Sequence, residues 1–363
     1  MLSNFRKLNY DVSYDSLIAR YGDLFIEEDE LNIEIFKKYK SLLGQKGEIG
    51  VSTVTDSLCF GEWGVVLDKD YQFTENIKNF GWFEEAKLHL LKNQSELFFM
   101  QNNRLHLKRE SLNVEKIDEK AALLSFPGAL TYGHWIVDII LRYQFLNDTR
   151  IMHKIETFIV PKALGVWSDI FFDFMNISPD EVTRLSNRDL VQVRELYIPT
   201  VASFLPGGLI PIKIAKHVFE KFRDFLQTKP KSVTPTKSKI AMLKHTPMTS
   251  SHERVGHLEP VEDYIKSIGG LVIDPLDFKL EDLCYLLKDV EIIVGQDSSA
   301  LHNNAFIGKD LVVIETVARK NLLHLSIQHS LGRKIQYLEC DREDNRYQLN
   351  LTKLKSVLKN YAA

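Results

Sequence analysis

Short apolar runs alternate with amphipathic stretches through the second half of the chain. Ile240–Leu243, Leu271–Ile273, Glu291–Val294, Leu311–Ile314 and Ile335–Leu338 have the length and composition of buried strands. Between them, Val261–Ile268, Leu280–Leu287, Ala300–Phe306 and Leu322–Leu331 carry helical spacing. This alternation predicts a doubly wound parallel sheet covered on both faces. A last helix, Leu351–Tyr361, either caps this domain or crosses back to the first.

The first half is less regular. Residues 47–76 predict β-hairpins, and 86–109 mixes short strands with turns. From Ala121 the pattern predicts a strand (Ala121–Phe126), a helix (Gly133–Leu146) and a strand (Thr157–Val160). A helix near Val166–Phe174 and a strand at Glu195–Ile198 continue it. An amphipathic helix at Ile214–Leu226 leads into Thr228–Lys239, a Pro- and Lys-rich stretch with nothing to bury, which reads as a linker. The expected division is an N-terminal α/β domain with a β-rich start over 1–228, a linker over 229–239, a C-terminal domain over 240–345 and a terminal helix over 346–363. Two such domains would place a cleft between them, a common location for ligands.

With 363 residues, each domain has ample core. Hydrophobic content of 44% and charged content of 26% are those of a soluble globular protein. A net charge of −3 gives no bulk argument for binding nucleic acid. Cys59, Cys284 and Cys340 are odd in number, far apart and without metal-type spacing, which suits a reduced, cytoplasmic compartment. The N-terminus lacks the apolar core of a signal peptide, and no run approaches the roughly 20 apolar residues of a membrane span.

Chemistry concentrates in three places. On the helix Gly133–Leu146, His134, Asp138 and Arg142 fall at i, i+4 and i+8, one polar stripe on an otherwise apolar cylinder. Either Asp138 and Arg142 pair while His134 is hydrogen-bonded, or the stripe faces a cleft and His134 or Asp138 is a general base. Second, Lys244–Glu259 follows the first strand of the C-terminal domain, at the end of a parallel strand where such sheets bind ligands. Lys244 and Arg254 can neutralise a diphosphate there, or the loop is simply a solvated charged segment. His245, His252 and His257 lack the cysteines or clustered carboxylates of a zinc site, so no metal is expected.

The third place is Val294–Phe306 (VGQDSSALHNNAF) with the strand after it, which ends at Glu315. A strand, a small-residue turn at Ser298 and Ser299, a helix start and a second strand ending in a carboxylate can hold a phosphorylated, ribose-bearing ligand. The alternative is an ordinary strand–turn–helix connection. Asp297 sits awkwardly beside a diphosphate, which it would repel; it fits better as a cap or facing a sugar hydroxyl. Asn303, in the second turn, can reach toward a cleft.

Together these segments resemble glycosyltransferase family 61. That family carries a Tyr/His-Trp-x-x-Asp helix, matched by Tyr132 through Asp138 with Arg142 in place. Its strand ends in Ser-Arg, where Lys244 stands for the arginine, and its loop arginine is matched by Arg254. Its Gly-x-His-Gly-Ala-x-Leu-x-Asn-x-x-Phe segment and following Glu are matched at Gly295, Leu301, Asn303, Phe306 and Glu315. Asp297-Ser298-Ser299 replaces His-Gly-Ala, and the Asn-Glu pair after the loop arginine is altered around His257 and Glu259.

The resemblance implies a GT-B-like fold with two Rossmann-type domains facing a central cleft. It implies an inverting, metal-independent glycosyltransferase using a nucleotide-sugar donor, UDP being the expected nucleotide, and a glycan acceptor. Asp138 is the first choice of base, His134 the second and Asp297 an outsider. Lys244, Arg254, Ser298 and Ser299 would hold the diphosphate, Glu315 the ribose, and Asn303 the donor sugar or phosphate, with Arg142 also at the substrate. The family's bacterial members point to capsule or lipopolysaccharide synthesis by a cytoplasmic enzyme, peripheral to the inner membrane or to partner enzymes. The other readings are a non-catalytic nucleotide- or glycan-binding protein and a nucleotide-sugar epimerase.

Overall fold

The computed structural model describes residues 5–6, 10–15, 37–38, 48–74, 88, 90–94, 96–101, 104–108, 114–204, 209–244, 258–307, 309–316, 322–343, 346–349 and 351–359. The protein is mixed α/β and divides into two compact units, with the main division between Phe204 and Leu205.

Unit 1 is built on a mixed sheet. Its strands are β1 (Phe5–Arg6), β2 (Tyr10–Asp15), β3 (Glu48–Phe60), β4 (Val65–Leu67) and β5 (Phe73–Thr74). A separate hairpin pairs β6 (Phe98–Gln101) with β7 (Arg104–Leu107). The sheet continues with β8 (Glu115–Leu123), β9 (Thr157–Pro161), β10 (Val182–Leu185) and β11 (Leu190–Pro199). The spatial order is β1-β5-β4-β3-β11-β8-β9-β10, with β2 on β3. Strands β8 to β11 run parallel, and β3 runs antiparallel to β11.

Alternate residues of β8 and β11 (Ile117, Ala121, Leu123, Val191, Val193) join Ile159 and Leu185 in one buried cluster. Strand β8 starts before the Ala121 expected from the sequence; its first half is largely exposed and lacks the continuous apolar run that would mark it. Strand β10 is likewise unmarked in the sequence; only Leu185 among its residues is buried, the pattern of an edge strand.

Between β8 and β9 the chain forms α1 (Tyr132–His134), a π-helical segment (Trp135–Ile139) and α2 (Ile140–Asp148). Helix α3 (Asp169–Met175) follows β9.

After the main division, unit 2 continues with α4 (Ile212–Thr228). It continues as β12 (Ile240–Leu243), α5 (Glu259–Ser267), β13 (Leu271–Ile273), α6 (Leu280–Leu286) and β14 (Ile292–Gln296). A 3-10 turn (Ser299–Asn303), α7 (Asn304–Ile307), β15 (Asp310–Thr316), α8 (Leu323–Ser330), β16 (Ile335–Glu343), β17 (Arg346–Leu349) and α9 (Leu351–Leu358) complete it. The strand order is β13-β12-β14-β15-β16-β17, parallel except for β17.

The reason for the wholly apolar strands is visible in their alternation. Ala241, Leu243, Ile293, Leu311 and Val313 pack with Leu283, Leu301 and Leu325 on one face. Ile240, Met242, Val294, Val312 and Ile314 pack with Val261, Ile265, Leu354 and Val357 on the other. The last helix therefore caps this unit.

The division falls earlier than the polar stretch expected to mark it. Helix α4 belongs to unit 2, where its buried face carries Phe219 and Phe222 onto Phe306, the latter at 4.6 Å between ring centroids. The Thr228–Lys239 stretch buries little, yet it is held within unit 2. Ser232 N donates to Asp282 Oδ1 at 2.8 Å, and Thr236 N to Leu286 O at 2.8 Å. Among the described residues no helix is long and apolar enough to cross a membrane.

Candidate functional site

In unit 1, β9 and β10 lie to one side of β8 and β11 to the other. Parallel sheets bind ligands at such a reversal of strand order, beyond the carboxyl ends of the strands, here β8 and β11. The helix following β8 delivers its polar stripe there.

Over Trp135–Ile139 the backbone bonds run i→i+5, with Ile140 N donating to Trp135 O. Such π turns widen a helix and recur at functional sites. His134 and Asp138 come together across this turn: His134 Nδ1 donates to Asp138 Oδ2 at 2.7 Å. Asp138 is fully buried and also accepts from Ser203 N at 2.7 Å and Ser203 Oγ at 2.9 Å. His134 keeps 27% of its side chain exposed.

The imidazole has little freedom. Phe126 packs edge-on to it at 5.5 Å. A Cβ at Gly128 would lie 2.7 Å from His134 Cδ2 and 2.8 Å from Nε2, so that position has to be glycine for the ring to sit where it does. Trp135, with no exposed surface, ties the same loop down by donating from Nε1 to Ala129 O at 2.7 Å.

Arg142 does not complete an ion pair with Asp138. Its guanidinium is buried and donates to Pro199 O at 3.1 Å, Leu124 O at 2.9 Å and Ser125 O at 3.3 Å, with Phe126 beneath it at 5.5 Å. It clasps the ends of β8 and β11 together, and its donors are engaged by carbonyls that would otherwise be buried unpaired. Burial pushes its pKa down to about 9, while the charge of Asp138 pulls it back up.

In unit 2 the order β13-β12-β14 puts the switch point between β12 and β14. Lys244 follows β12, and its Nζ is held by Glu262 at 3.0 Å to Oε1 and 3.1 Å to Oε2. Asp297 follows β14; its backbone N donates to Ile314 O at 3.0 Å, extending the strand pairing by one residue. The helix expected over Ala300–Phe306 is instead a 3-10 turn running into the short α7. It presses so closely on the strand that a Cβ at Gly295 would fall 2.5 Å from Leu301 Cδ2. The dipole of so short an element is small, which weakens the helix contribution to anion binding.

Ser298 is buried at the start of that turn, and Ser299 beside it is half-buried. Asn303, expected to reach outward, donates from Nδ2 back to Ala300 O at 2.9 Å. Asp297 is 5% exposed, and His324 Nε2 lies 2.9 Å from its Oδ1. Glu315 lies at the end of β15, but its side chain falls outside the described residues, as do Arg254, His245, His252 and His257.

The site's partners that sequence reading missed are Ser203 and His324. They stand 65 and 27 residues from the carboxylates they touch, and no local spacing announces either. Among the described residues no three His, Cys, Asp or Glu side chains stand close enough together to hold a metal ion. A groove of about 950 Å³ in unit 1, lined by Glu115, Glu119, Glu156, Thr183, Arg184 and Arg188 among others, includes none of these candidate residues.

A family model described as Glycosyltransferase 61 matches residues 132–314, just over half of the chain. The match opens on the helix of His134 and closes within β15, taking in the His134–Asp138 pair, Lys244 and the Asp297–Asn303 segment but not Glu315 or His324. No curated protein matches the chain.

Proposed function

Because the chain belongs to glycosyltransferase family 61 and is therefore a glycosyltransferase, we propose that it moves a sugar from a nucleotide-sugar donor to a glycan acceptor with inversion at the anomeric carbon. The observation that carries this reading is the His134–Asp138 pair, a partly exposed imidazole fixed through Nδ1 to a fully buried carboxylate. A general base must come within hydrogen-bonding reach of the hydroxyl it deprotonates. Asp138 does not meet that requirement, since it is fully buried beneath His134 and Ser203, to which it is hydrogen-bonded. His134 does, with Nε2 as the accepting atom. The roles are thus reversed from the order expected on sequence: His134 is the base and Asp138 the group that orients it.

In the transfer step the acceptor oxygen bonds to the anomeric carbon while the bond to the nucleoside diphosphate breaks on the opposite face. The hydroxyl proton passes to His134 Nε2. Lys244 and Arg254 offset the charge that develops on the leaving diphosphate, the work a metal ion does in other transferases. Ser298 and Ser299 line the diphosphate, Asn303 supports the loop that holds it, and Glu315 takes the ribose. Unit 2 carries the donor and unit 1 the base. A UDP-sugar donor and a role in bacterial capsule or lipopolysaccharide synthesis are the parts of the reading that rest on family resemblance.

The test is a thermal-shift screen of the purified protein against UDP, GDP, CDP, CMP and their sugar conjugates, with and without EDTA, followed by assay of nucleoside diphosphate release. A ligand that binds only the native state raises the melting temperature. A shift with one nucleotide that survives EDTA, with acceptor-dependent release of that nucleotide, is expected. No shift with any nucleotide would sink the donor site, and binding without release across an acceptor panel would leave a binding protein.

A further inference from the structure

A carboxylate next to a diphosphate is repulsive, and Asp297 stands at the carboxyl end of β14, beside the switch point proposed to hold the donor. The fold brings an imidazole to it from the helix that follows β15. His324, in the first turn of α8, is 1% exposed and places Nε2 2.9 Å from Asp297 Oδ1. The ring of His302 lies 5.1 Å from that of His324, on which it packs. His324 Nδ1 is buried and has no hydrogen-bond partner among the described residues, so no second carboxylate competes for this ring. The described residues thus include two carboxylate–imidazole pairs of opposite character. In the first the imidazole is partly exposed, while in the second both groups are buried.

We infer that His324 is a positioning residue of the donor site: it holds and masks Asp297, so that a nucleoside diphosphate can lie beside the loop that follows β14. The inference rests on the donor site proposed for unit 2. An imidazolium at this distance cancels the carboxylate's charge. A neutral imidazole still donates Nε2–H to it and turns that oxygen away from an incoming anion. Without His324, the carboxylate loses the N–H that turns it from the ligand, its repulsion of the diphosphate grows, and donor affinity falls. The imidazole also fixes Asp297 in one orientation, which sets the path of Ser298 and Ser299.

The experiment is calorimetric titration of UDP, or whichever nucleoside diphosphate stabilises the wild-type protein, into four full-length proteins: wild type, His324→Ala, Asp297→Asn and the double variant. Thermal unfolding is followed in parallel to verify folding. His324→Ala is expected to weaken binding by about tenfold or more, and Asp297→Asn to bind at least as well as wild type. The double variant is expected to recover to within about threefold of wild type, because a neutral amide needs no mask. His324→Gln, which keeps an N–H for Asp297, should lose less than His324→Ala and serves if the alanine variant does not fold.

A purely structural histidine predicts a double variant no better than His324→Ala, and that result overturns the inference. So does a folded His324→Ala protein that binds within about twofold of wild type. Failure of wild type to bind any nucleoside diphosphate would instead overturn the donor site itself.

Discussion

His134 and Asp138 divide one task between an atom that can be reached and an atom that cannot. The carboxylate's burial keeps it from the acceptor but lets it fix the ring, selecting the tautomer with the proton on Nδ1 and the lone pair on Nε2. Asp138→Asn presents an amide N–H to Nδ1, forces the other tautomer and removes the free lone pair. Both His134→Gln and Asp138→Asn are therefore expected to lower transfer by about 10²- to 10⁴-fold while nucleotide affinity stays near wild type. The pH–rate profile should lose its acid limb in His134→Gln. Steady-state transfer and nucleotide titration check this, and near wild-type turnover in His134→Gln would remove it from the base's role. The i, i+4 spacing of the pair was legible in the sequence. The choice between them was not, because exposure and the two bonds from Ser203 are set by residues 65 positions away.

At the scale of elements, Arg142 joins the helix after β8 to the ends of β8 and β11. Its planar fork serves three carbonyls at once, which a lysine ammonium on a flexible stem does not reproduce. Arg142→Lys is expected to cost about 2–4 kcal/mol of stability, read by denaturant unfolding. Full stability in that variant would mean the clasp is dispensable. In unit 2 the corresponding joint is hydrophobic: Phe222 of α4 is wholly buried against Phe306 of α7. Phe222→Ala should cost about 3–5 kcal/mol through the cavity it leaves. Helix α4 declared itself by its apolar stripe, yet a stripe states only that a partner exists. The sequence reading gave it to the first domain because it precedes the polar stretch, whereas its contacts lie with α6, α7 and α8.

For the whole molecule, each unit has its own sheet and its own buried clusters, and the two polar sites fall one in each. Nucleoside diphosphate binding should therefore slow amide exchange chiefly over residues 292–303 and 323–330, with little change over 132–148. Exchange followed by mass spectrometry checks this, and protection centred on 132–148 would place the donor in unit 1. What the sequence determined by itself was whatever depends on short separations. The apolar strands of unit 2, three of the four helices expected between them, the His134–Asp138 spacing and the glycine before the Asp297 loop were readable, because each repeats or pairs within a turn or a strand. Tertiary structure decided the π turn, the unit to which α4 belongs, the carbonyls that hold Arg142, and the imidazole set against Asp297. These depend on which segments meet after folding, and the energy of such contacts depends on burial and on distances between residues remote in sequence, which no local pattern encodes.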